Sequence, residues 1–316
     1  MQNHPLTVKN LTKIFHTEKF FFQNKKSGFT AVDNISFVLK KGEFLGFLGP
    51  NGAGKTTTLQ MLLNLLTPTS GSIHFFGKDP LKDKSIMQDI SYASGYMKLP
   101  SSLTVQQVLL MYGMLYNMNI SVLKDKIELF LTLFNLKHLS QRKVTTLSAG
   151  QTTAILLARA FLVDPKIVLL DEPTAALDPE SACRIRDFIK TENKKNGVSI
   201  LFTSHNMPEV AELCDRILVL KDGKIIADNT PEYLASTVCI TNVQLIIGDG
   251  MKRTIAYVLE NKLEHKVEDR YIEIKIDEQK ISELLSGLAT KNVTYTQISI
   301  EKPTLEDFFL TLVKNS

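Results

Sequence analysis

A chain of 316 residues is long enough for one large domain and a smaller one, each with its own hydrophobic core. The hydrophobic and charged fractions, 44% and 22%, exclude a disordered, collagen-like or disulfide-stapled chain as a whole. The net charge is only +4, and the three cysteines lie far apart without metal-ligand spacing, which favours reduced thiols. No signal-peptide pattern and no bilayer-length apolar stretch is found, so we expect another chain to supply any membrane-spanning helices.

The first part of the chain, to about residue 230, alternates short apolar runs with amphipathic stretches. This pattern predicts an α/β domain built around a largely parallel sheet, with a helical insertion over about residues 92–143. Three buried strands are predicted, at residues 43–48, 166–170 and 198–203. Polar residues follow each strand directly, and ligands of open α/β sheets bind at the carboxyl ends of strands. We therefore expect these polar residues to form one site.

The first strand leads into a glycine-rich loop, Gly49-Pro-Asn51-Gly52-Ala53-Gly54-Lys55-Thr56-Thr57. Its spacing matches the phosphate-binding P-loop, and it lies between a predicted strand and a helix predicted over residues 57–66. The backbone N–H groups of such a loop, with the N-terminus of the helix, point at a phosphate. Lys55 adds a positive charge for the β- and γ-phosphates, and the Thr56 hydroxyl is a ligand for Mg²⁺.

The other two strand ends add carboxylates and a histidine. Asp171 and Glu172 follow the second strand; Asp171 is expected to help hold Mg²⁺, and Glu172 to orient or deprotonate the attacking water. The third strand ends in Thr203-Ser204-His205. A lone histidine after a strand is more often structural, but the nearby P-loop favours contact between His205 and the γ-phosphate.

The segment Leu147-Ser148-Ala149-Gly150-Gln151 resembles the LSGGQ signature of the ATP-binding cassette (ABC) family, with alanine in place of one glycine. The signature lies between the P-loop and the Asp-Glu pair, and the order of motifs matches the family over about residues 6–230. The resemblance implies a P-loop NTPase fold that binds ATP and Mg²⁺ and hydrolyses ATP with Glu172, His205 and Lys55.

The same resemblance implies that two chains pack head to tail. Each ATP would then lie between one chain's P-loop, residues 51–57, and the other chain's Ser148, Gly150 and Gln151. Asp178, in Ala175-Ala176-Leu177-Asp178, resembles the family's D-loop at this interface.

Two positions of the resemblance remain open. The family stacks adenine on an aromatic residue after the first strand; Phe15 is expected there, with Phe20 to Phe22 or Phe29 as alternatives. The family's glutamine after a strand resembling residues 90–94 is replaced by Gly95, so the Mg²⁺ contact of that loop lacks its usual residue. The following segment, residues 96–100, corresponds to the place where such proteins touch a permease.

The sequence pattern changes beyond about residue 233. Strands are predicted at residues 271–276 and 293–300 and a helix at 279–288. Thr304 and Asp307 form a capping-box pattern that opens a last helix. We predict a nucleotide-binding domain at residues 1–232, with a helical subdomain at about 92–160, and a small α+β domain at 233–316.

The ending at residues 301–309 resembles that of cassette subunits from type-2 ABC exporters, a class that includes drug- and antibiotic-resistance exporters. The implied protein is a homodimer, or a heterodimer with a second ABC ATPase, at the cytoplasmic face of the cell membrane, where it drives a separate permease. No nucleic-acid partner is expected, and the basic residues around Lys25 and Lys26 are interpreted as a solvated loop. Two alternatives remain: an ABC ATPase without a transport role, and a membrane-associated regulator that hydrolyses little ATP.

Overall fold

The computed structural model describes residues 4–16, 28–95, 97–175, 177–238 and 240–314. The chain divides into two compact units, Met1–Thr230 and Pro231–Ser316. Three of the aromatic alternatives, Phe20 to Phe22, and the basic residues Lys25 and Lys26 lie outside the described residues, as does Tyr96.

In the part of the first unit that the structure describes, three strands form an antiparallel sheet and six form a larger sheet. The antiparallel sheet has the order β2-β1-β4, made of β1 (Leu6–His16), β2 (Gly28–Leu39) and β4 (Ser70–Phe75). The larger sheet consists of β3 (Phe44–Leu48), β5 (Ile90–Ser94), β6 (Ile167–Asp171), β7 (Ser199–Thr203), β8 (Arg216–Lys221) and β9 (Lys224–Asn229). Its order is β5-β6-β7-β3-β8-β9, and only β9 runs antiparallel to its neighbour. The predicted α/β class with a largely parallel sheet is confirmed.

The three strands predicted from apolar runs, β3, β6 and β7, are adjacent to one another in this sheet. Every residue of each of these strands is buried. A strand covered on both faces requires a continuous apolar run rather than alternation, and the sequence shows such runs. Because the strands are parallel, their carboxyl ends lie at one edge of the sheet.

The described residues of the first unit form six α-helices: α1 (Lys55–Leu62), α2 (Val105–Leu115), α3 (Ile120–Leu133), α4 (Ala149–Phe161), α5 (Pro179–Asn196) and α6 (Met207–Leu213). The predicted bounds of α1, residues 57–66, are wrong at both ends. The helix begins at Lys55 because Gly54, with φ +99°, turns the chain directly into it. It ends at Leu62, and Asn64 then takes a left-handed conformation with φ +61°.

Four phenylalanine rings hold α3, α4 and α5 together. Phe188 of α5 makes edge-on contacts with Phe130, Phe134 and Phe161, at centroid distances of 5.8, 5.0 and 4.9 Å. Such edge-to-face pairs contribute roughly 0.5–1.5 kcal/mol each beyond their buried area. This packing fixes the direction of α4, whose first turn carries the signature segment.

The second unit is an α+β fold with a four-stranded antiparallel sheet. Its elements are α7 (Pro231–Ser236), β10 (Ile240–Asp249), α8 (Met251–Glu260), β11 (Glu264–Glu268), β12 (Tyr271–Asp277), α9 (Ile281–Thr290), β13 (Thr294–Glu301) and α10 (Leu305–Lys314). The sheet order is β11-β12-β10-β13. Alternate residues of β10 and β12 form one core with apolar side chains of α8 and α9, including Val258 and Leu284.

The capping box predicted at the last helix is confirmed. The backbone N–H of Thr304 donates to Asp307 Oδ2 at 2.8 Å, and the N–H of Asp307 donates to Thr304 Oγ1 at 3.3 Å. None of the helices in the described ranges combines the length and the apolar character that crossing a membrane requires.

Candidate functional site

A cavity of ≈ 430 Å³ lies at the carboxyl ends of β3, β5 and β6. The P-loop residues 51–57 line it together with Asp171 and Glu172, and Tyr92 and Ser94 contribute from the end of β5. Phe29 and Ala31 of β2 complete the lining. The structure therefore brings together the residues predicted from the first two strand ends.

The P-loop packs closely against β2 and is bonded by its own lysine. A Cβ atom on Gly54 would lie 2.5 Å from the carbonyl oxygen of Ala31, and the residue has φ +99°, so the position requires glycine. Lys55 Nζ donates to the carbonyl oxygens of Gly49 and Pro50, at 2.6 and 3.1 Å. Burial lowers the pKa of Lys55, and the carboxylates of Glu172 and Asp171 offset part of that shift. The lysine thus lies folded back over the loop that would cradle a phosphate.

Asp171 is held from both neighbouring strands. Its Oδ1 accepts a hydrogen bond from Thr203 Oγ1 at 2.6 Å, and its Oδ2 lies 3.4 Å from the hydroxyl of Tyr92, which donates. The carboxylate is buried at the end of β6, so its direction is fixed by these two contacts.

The oxygen donors of the cavity suit a magnesium ion whose remaining ligands are phosphates and water. Asp171 and the Thr56 hydroxyl line the same cavity and are hard oxygen ligands. Within the described residues, no group of three or more His, Cys, Asp or Glu side chains is arranged to hold a metal. Mg²⁺ commonly binds through one or two protein oxygens, and phosphates and water complete its coordination. The hydroxyl of Thr56 and the carboxylate of Asp171 fit this kind of coordination.

Glu172 lies in a strained turn beside His205. Its φ is +52°, a left-handed conformation that costs a non-glycine residue about 1–3 kcal/mol. Its N–H donates to the carbonyl oxygen of Thr203 at 3.0 Å. Glu172 Oε2 lies 2.5 Å from His205 Nδ1. Glu172 and His205, which are each predicted to act in catalysis, are therefore in direct contact, with the carboxylate mostly buried and the imidazole exposed.

The signature residues lie in a second cavity, of ≈ 320 Å³, which Ser148, Gly150, Gln151 and Asp178 line. Ser148 and Gln151 form a capping box: Ser148 Oγ accepts from the Gln151 N–H at 3.2 Å, and the Ser148 N–H donates to Gln151 Oε1 at 2.9 Å. Asp178 caps α5, and hydrogen bonds from Ser181 lower the pKa of Asp178. Among the described residues, none lines both this cavity and the P-loop cavity.

Of the phenylalanines considered above for adenine stacking, Phe29 is the one that lines the P-loop cavity among the described residues. Phe15 is its partner across β1 and β2 and is 42% exposed, with Lys13 Nζ 5.2 Å from its ring centroid. Phe15 is not among the described residues that line the P-loop cavity.

Gly95, which replaces the family's glutamine, packs against the backbone of the Asp-Glu pair. Its N–H donates to the carbonyl oxygen of Asp171 at 3.3 Å. A Cβ atom here would lie 2.9 Å from the carbonyl oxygen of Glu172, closer than real Cβ contacts come. The missing side chain therefore leaves room for the strained turn at Glu172.

Sequence reasoning missed three residues around the site, namely Tyr92, Ser94 and Glu209. Tyr92 and Ser94 lie at the end of β5, a fourth parallel strand, and the strand-end rule applied to residues 90–94 would have found them. Glu209 accepts hydrogen bonds from Thr174 and Ser204, and no local sequence pattern indicates that contact.

A protein-family model described as "ABC transporter" matches residues 32–175. The linearmycin resistance ATP-binding protein LnrL of Bacillus subtilis (strain 168) is 32% identical over 295 residues, which cover 90% of this chain and 93% of that protein. The Nod factor export ATP-binding protein I of Neorhizobium galegae is 36% identical over 203 residues, 64% of this chain and 58% of that protein. Among solved structures, the ATP-binding cassette MJ0796, described as a dimer in a post-hydrolysis state with ADP and Pi, superposes with a TM-score of 0.63. It is 24% identical, and the match covers 71% of this chain and 98% of that one.

The parallel sheet, the P-loop and the Asp-Glu strand end define a P-loop NTPase, as predicted. The chain belongs to the ABC transporter family, among its ATP-binding proteins. The function predicted from the sequence, an ATP-binding and ATP-hydrolysing subunit of an ABC exporter, is confirmed by these relatives.

Proposed function

We propose that this chain hydrolyses ATP at a site formed by two chains, in which one supplies the P-loop cavity and the other the signature cavity. The observation that carries this proposal is that, of the described residues, no residue lines both cavities. A second ABC ATPase, either another copy or a relative, supplies the missing half.

The geometry at the P-loop cavity supports the following residue roles. The P-loop N–H groups and Lys55 bind the phosphates, and Glu172 accepts a proton from the attacking water. His205 bonds to Glu172 Oε2 and so orients the carboxylate. Mg²⁺, when bound, would be held by the Thr56 hydroxyl and Asp171, and it supplies charge neutralisation at the phosphates.

The second chain contributes a helix N-terminus. Its Ser148 caps α4 and its Gly150 lies in the first turn of that helix, where backbone N–H groups and the helix dipole favour an anionic phosphate. Gln151 holds that turn through the capping box, and Asp178 lies beside it in the same cavity. For the adenine, the lining position supports Phe29 as the stacking residue, with Phe15 next to it as the other candidate.

We further propose a peripheral location at the cytoplasmic face of the cell membrane, bound to a separate permease. LnrL is a resistance protein and is similar to this chain over nearly its whole length, which supports export of a toxic compound. Affinity purification of the full chain from detergent-solubilised membranes tests the partner. Recovery of an integral-membrane protein is expected, whereas recovery of ribosomes or DNA alone would contradict the proposal.

The substitution Glu172→Gln tests the catalytic assignment. Removing a general base typically lowers turnover about 10²- to 10⁴-fold, so we expect steady-state ATPase activity to fall by that much while ATP binding is retained. Light scattering after gel filtration is expected to show an ATP-dependent dimer of this variant. Glu260→Gln, at an exposed glutamate of the second unit, is the control and should keep full activity. Parental turnover in the Glu172→Gln variant would refute the assignment.

A further inference from the structure

Glu209 is a buried carboxylate that touches both loops of the catalytic pair. It lies in the first turn of α6 and is only 2% exposed. Its Oε2 accepts a hydrogen bond from Thr174 Oγ1 at 2.7 Å and a second from Ser204 Oγ at 2.9 Å. A single carboxylate oxygen thus joins two segments that are far apart in the sequence.

The two donors are close neighbours of the catalytic residues. Thr174 is two residues after Glu172, and Ser204 directly precedes His205. Glu172 and His205 are themselves in contact at 2.5 Å. Three hydrogen bonds and two short chain segments therefore form a closed ring. The hydrogen bonds join Thr174 to Glu209, Glu209 to Ser204, and His205 to Glu172. The chain itself links Glu172 to Thr174 and Ser204 to His205.

The local structure aims the Glu209 side chain at these loops. Asn206 caps α6, and its Oδ1 accepts from the N–H of Glu209 at 3.2 Å. Ser204 Oγ also accepts from the N–H of Asn206 at 3.0 Å. The start of the helix and the loop before it are thus bonded into one unit, which fixes the position of the carboxylate.

The other oxygen of Glu209 makes the burial of this carboxylate costly for stability. Within the described part of the chain, Glu209 Oε1 is buried without a hydrogen-bond partner, an arrangement that costs about 1–3 kcal/mol. Burial raises the pKa of Glu209, and the hydrogen bonds from Thr174 and Ser204 offset part of that shift. A buried glutamate elsewhere in the unit, Glu43, has both oxygens bonded, to Arg216 and to the N–H of Lys40.

We propose that Glu209 is a positioning residue for ATP hydrolysis, which holds Thr174 and Ser204 together and so keeps Glu172 against His205. The inference rests on the proposed function, because it takes Glu172 and His205 as the catalytic pair. Glu209 is not among the described residues that line the P-loop cavity. Its loss should therefore affect turnover and leave the binding of ATP unchanged.

The test compares kcat, KM for ATP and thermal stability of the full-length chain carrying Glu209→Ala, Glu209→Gln or Glu43→Ala. Misplacing a catalytic group by about 1 Å costs on the order of a hundredfold in rate, so we expect Glu209→Ala to lower kcat about tenfold to a hundredfold with KM unchanged. Glu209→Gln keeps an oxygen that accepts both hydrogen bonds and should retain most of the activity. Glu43→Ala should lower the melting temperature with kcat unchanged in the folded protein.

Two further variants keep the test decisive if Glu209→Ala does not fold. Thr174→Val and Ser204→Ala each remove one donor to the carboxylate, and each should lower kcat with KM unchanged. In the background of His205→Ala, the Glu209→Ala substitution should add little further loss, since it acts through that residue.

Several results would overturn the inference. They are equal kcat losses in Glu209→Ala and Glu43→Ala, a Glu209→Gln variant as inactive as Glu209→Ala, or fully additive losses with His205→Ala. If instead Glu172→Gln and His205→Ala both keep parental turnover, the proposed catalytic pair fails. That outcome is distinct from a failure of Glu209 alone.

Discussion

Position 95 lies where the ABC family, by resemblance, carries a glutamine. Here the residue is glycine, and its surroundings give a physical reason. The space that a Cβ atom would need is taken by the carbonyl oxygen of Glu172, 2.9 Å away. That carbonyl belongs to a residue with φ +52°, whose strained backbone is tied to Thr203 through its N–H. The glycine and the strained glutamate therefore depend on each other.

Gly95→Ala and Gly95→Gln test this dependence. Both substitutions should displace the Glu172 peptide and lower ATPase turnover about tenfold or more, and the glutamine should not improve on the parent. Gly248→Ala serves as the control, because its Cβ would meet a rotatable hydroxyl of Thr294 at 3.3 Å. Higher activity in Gly95→Gln than in the parent would contradict the account.

The residues that sequence patterns locate are those in contiguous motifs. Lys55 is predicted because the P-loop has a fixed spacing, and Asp171 and Glu172 because they directly follow an apolar run. The contact between Glu209 and Thr174 spans 35 residues along the chain and depends on the order of β6 and β7 in the sheet. The left-handed backbone of Glu172 has no sequence signal either, since residues other than glycine rarely adopt it.

At the scale of elements, α2 and α4 begin in the same way. Thr104 and Gln107 form a capping box at α2, and Ser148 and Gln151 form the equivalent box at α4. Only the second box lines a cavity that we assign to the nucleotide. The two capping boxes can therefore be compared directly: the box at α2 stabilises a helix, and we assign the box at α4 a second role in binding the nucleotide.

Ser148→Ala and Thr104→Ala should each lower the free energy of unfolding by about 1 kcal/mol, the usual cost of losing a side-chain cap. ATPase activity should fall in Ser148→Ala and stay at the parental value in Thr104→Ala. Denaturant unfolding and steady-state hydrolysis measure the two effects. Equal activities in the two variants would show that the Ser148 hydroxyl serves the helix alone.

Element boundaries were harder to predict than element types. The capping pattern at Thr304 is confirmed because its hydrogen bonds are local. The predicted start of α1, at residue 57, lies two residues after the observed start at residue 55, because the start depends on the φ of Gly54. Apolar periodicity does not report backbone angles at a helix terminus.

At the scale of the whole molecule, the proposed two-chain site can be tested by mixing two inactive variants. Lys55→Ala disables the P-loop cavity and Ser148→Arg fills the signature cavity, so each variant alone should be inactive. When the two are mixed, half of the dimers are mixed, and each of these has one undamaged site. About a quarter of the sites, in a two-fold dimer, should then hydrolyse ATP.

ATPase assays of the mixture, with each variant alone as the control, measure this recovery. Full activity of Ser148→Arg alone would show that hydrolysis needs no signature residue from a second chain.

The separation of the two cavities on one chain also links catalysis to mass action. A site assembled from two chains exists only to the extent that the chains associate, so ATP hydrolysis per chain should rise with protein concentration below the dissociation constant. A permease that holds two copies side by side would raise their effective concentration. The free subunit would then waste little ATP, and hydrolysis would be concentrated where there is a transporter to drive.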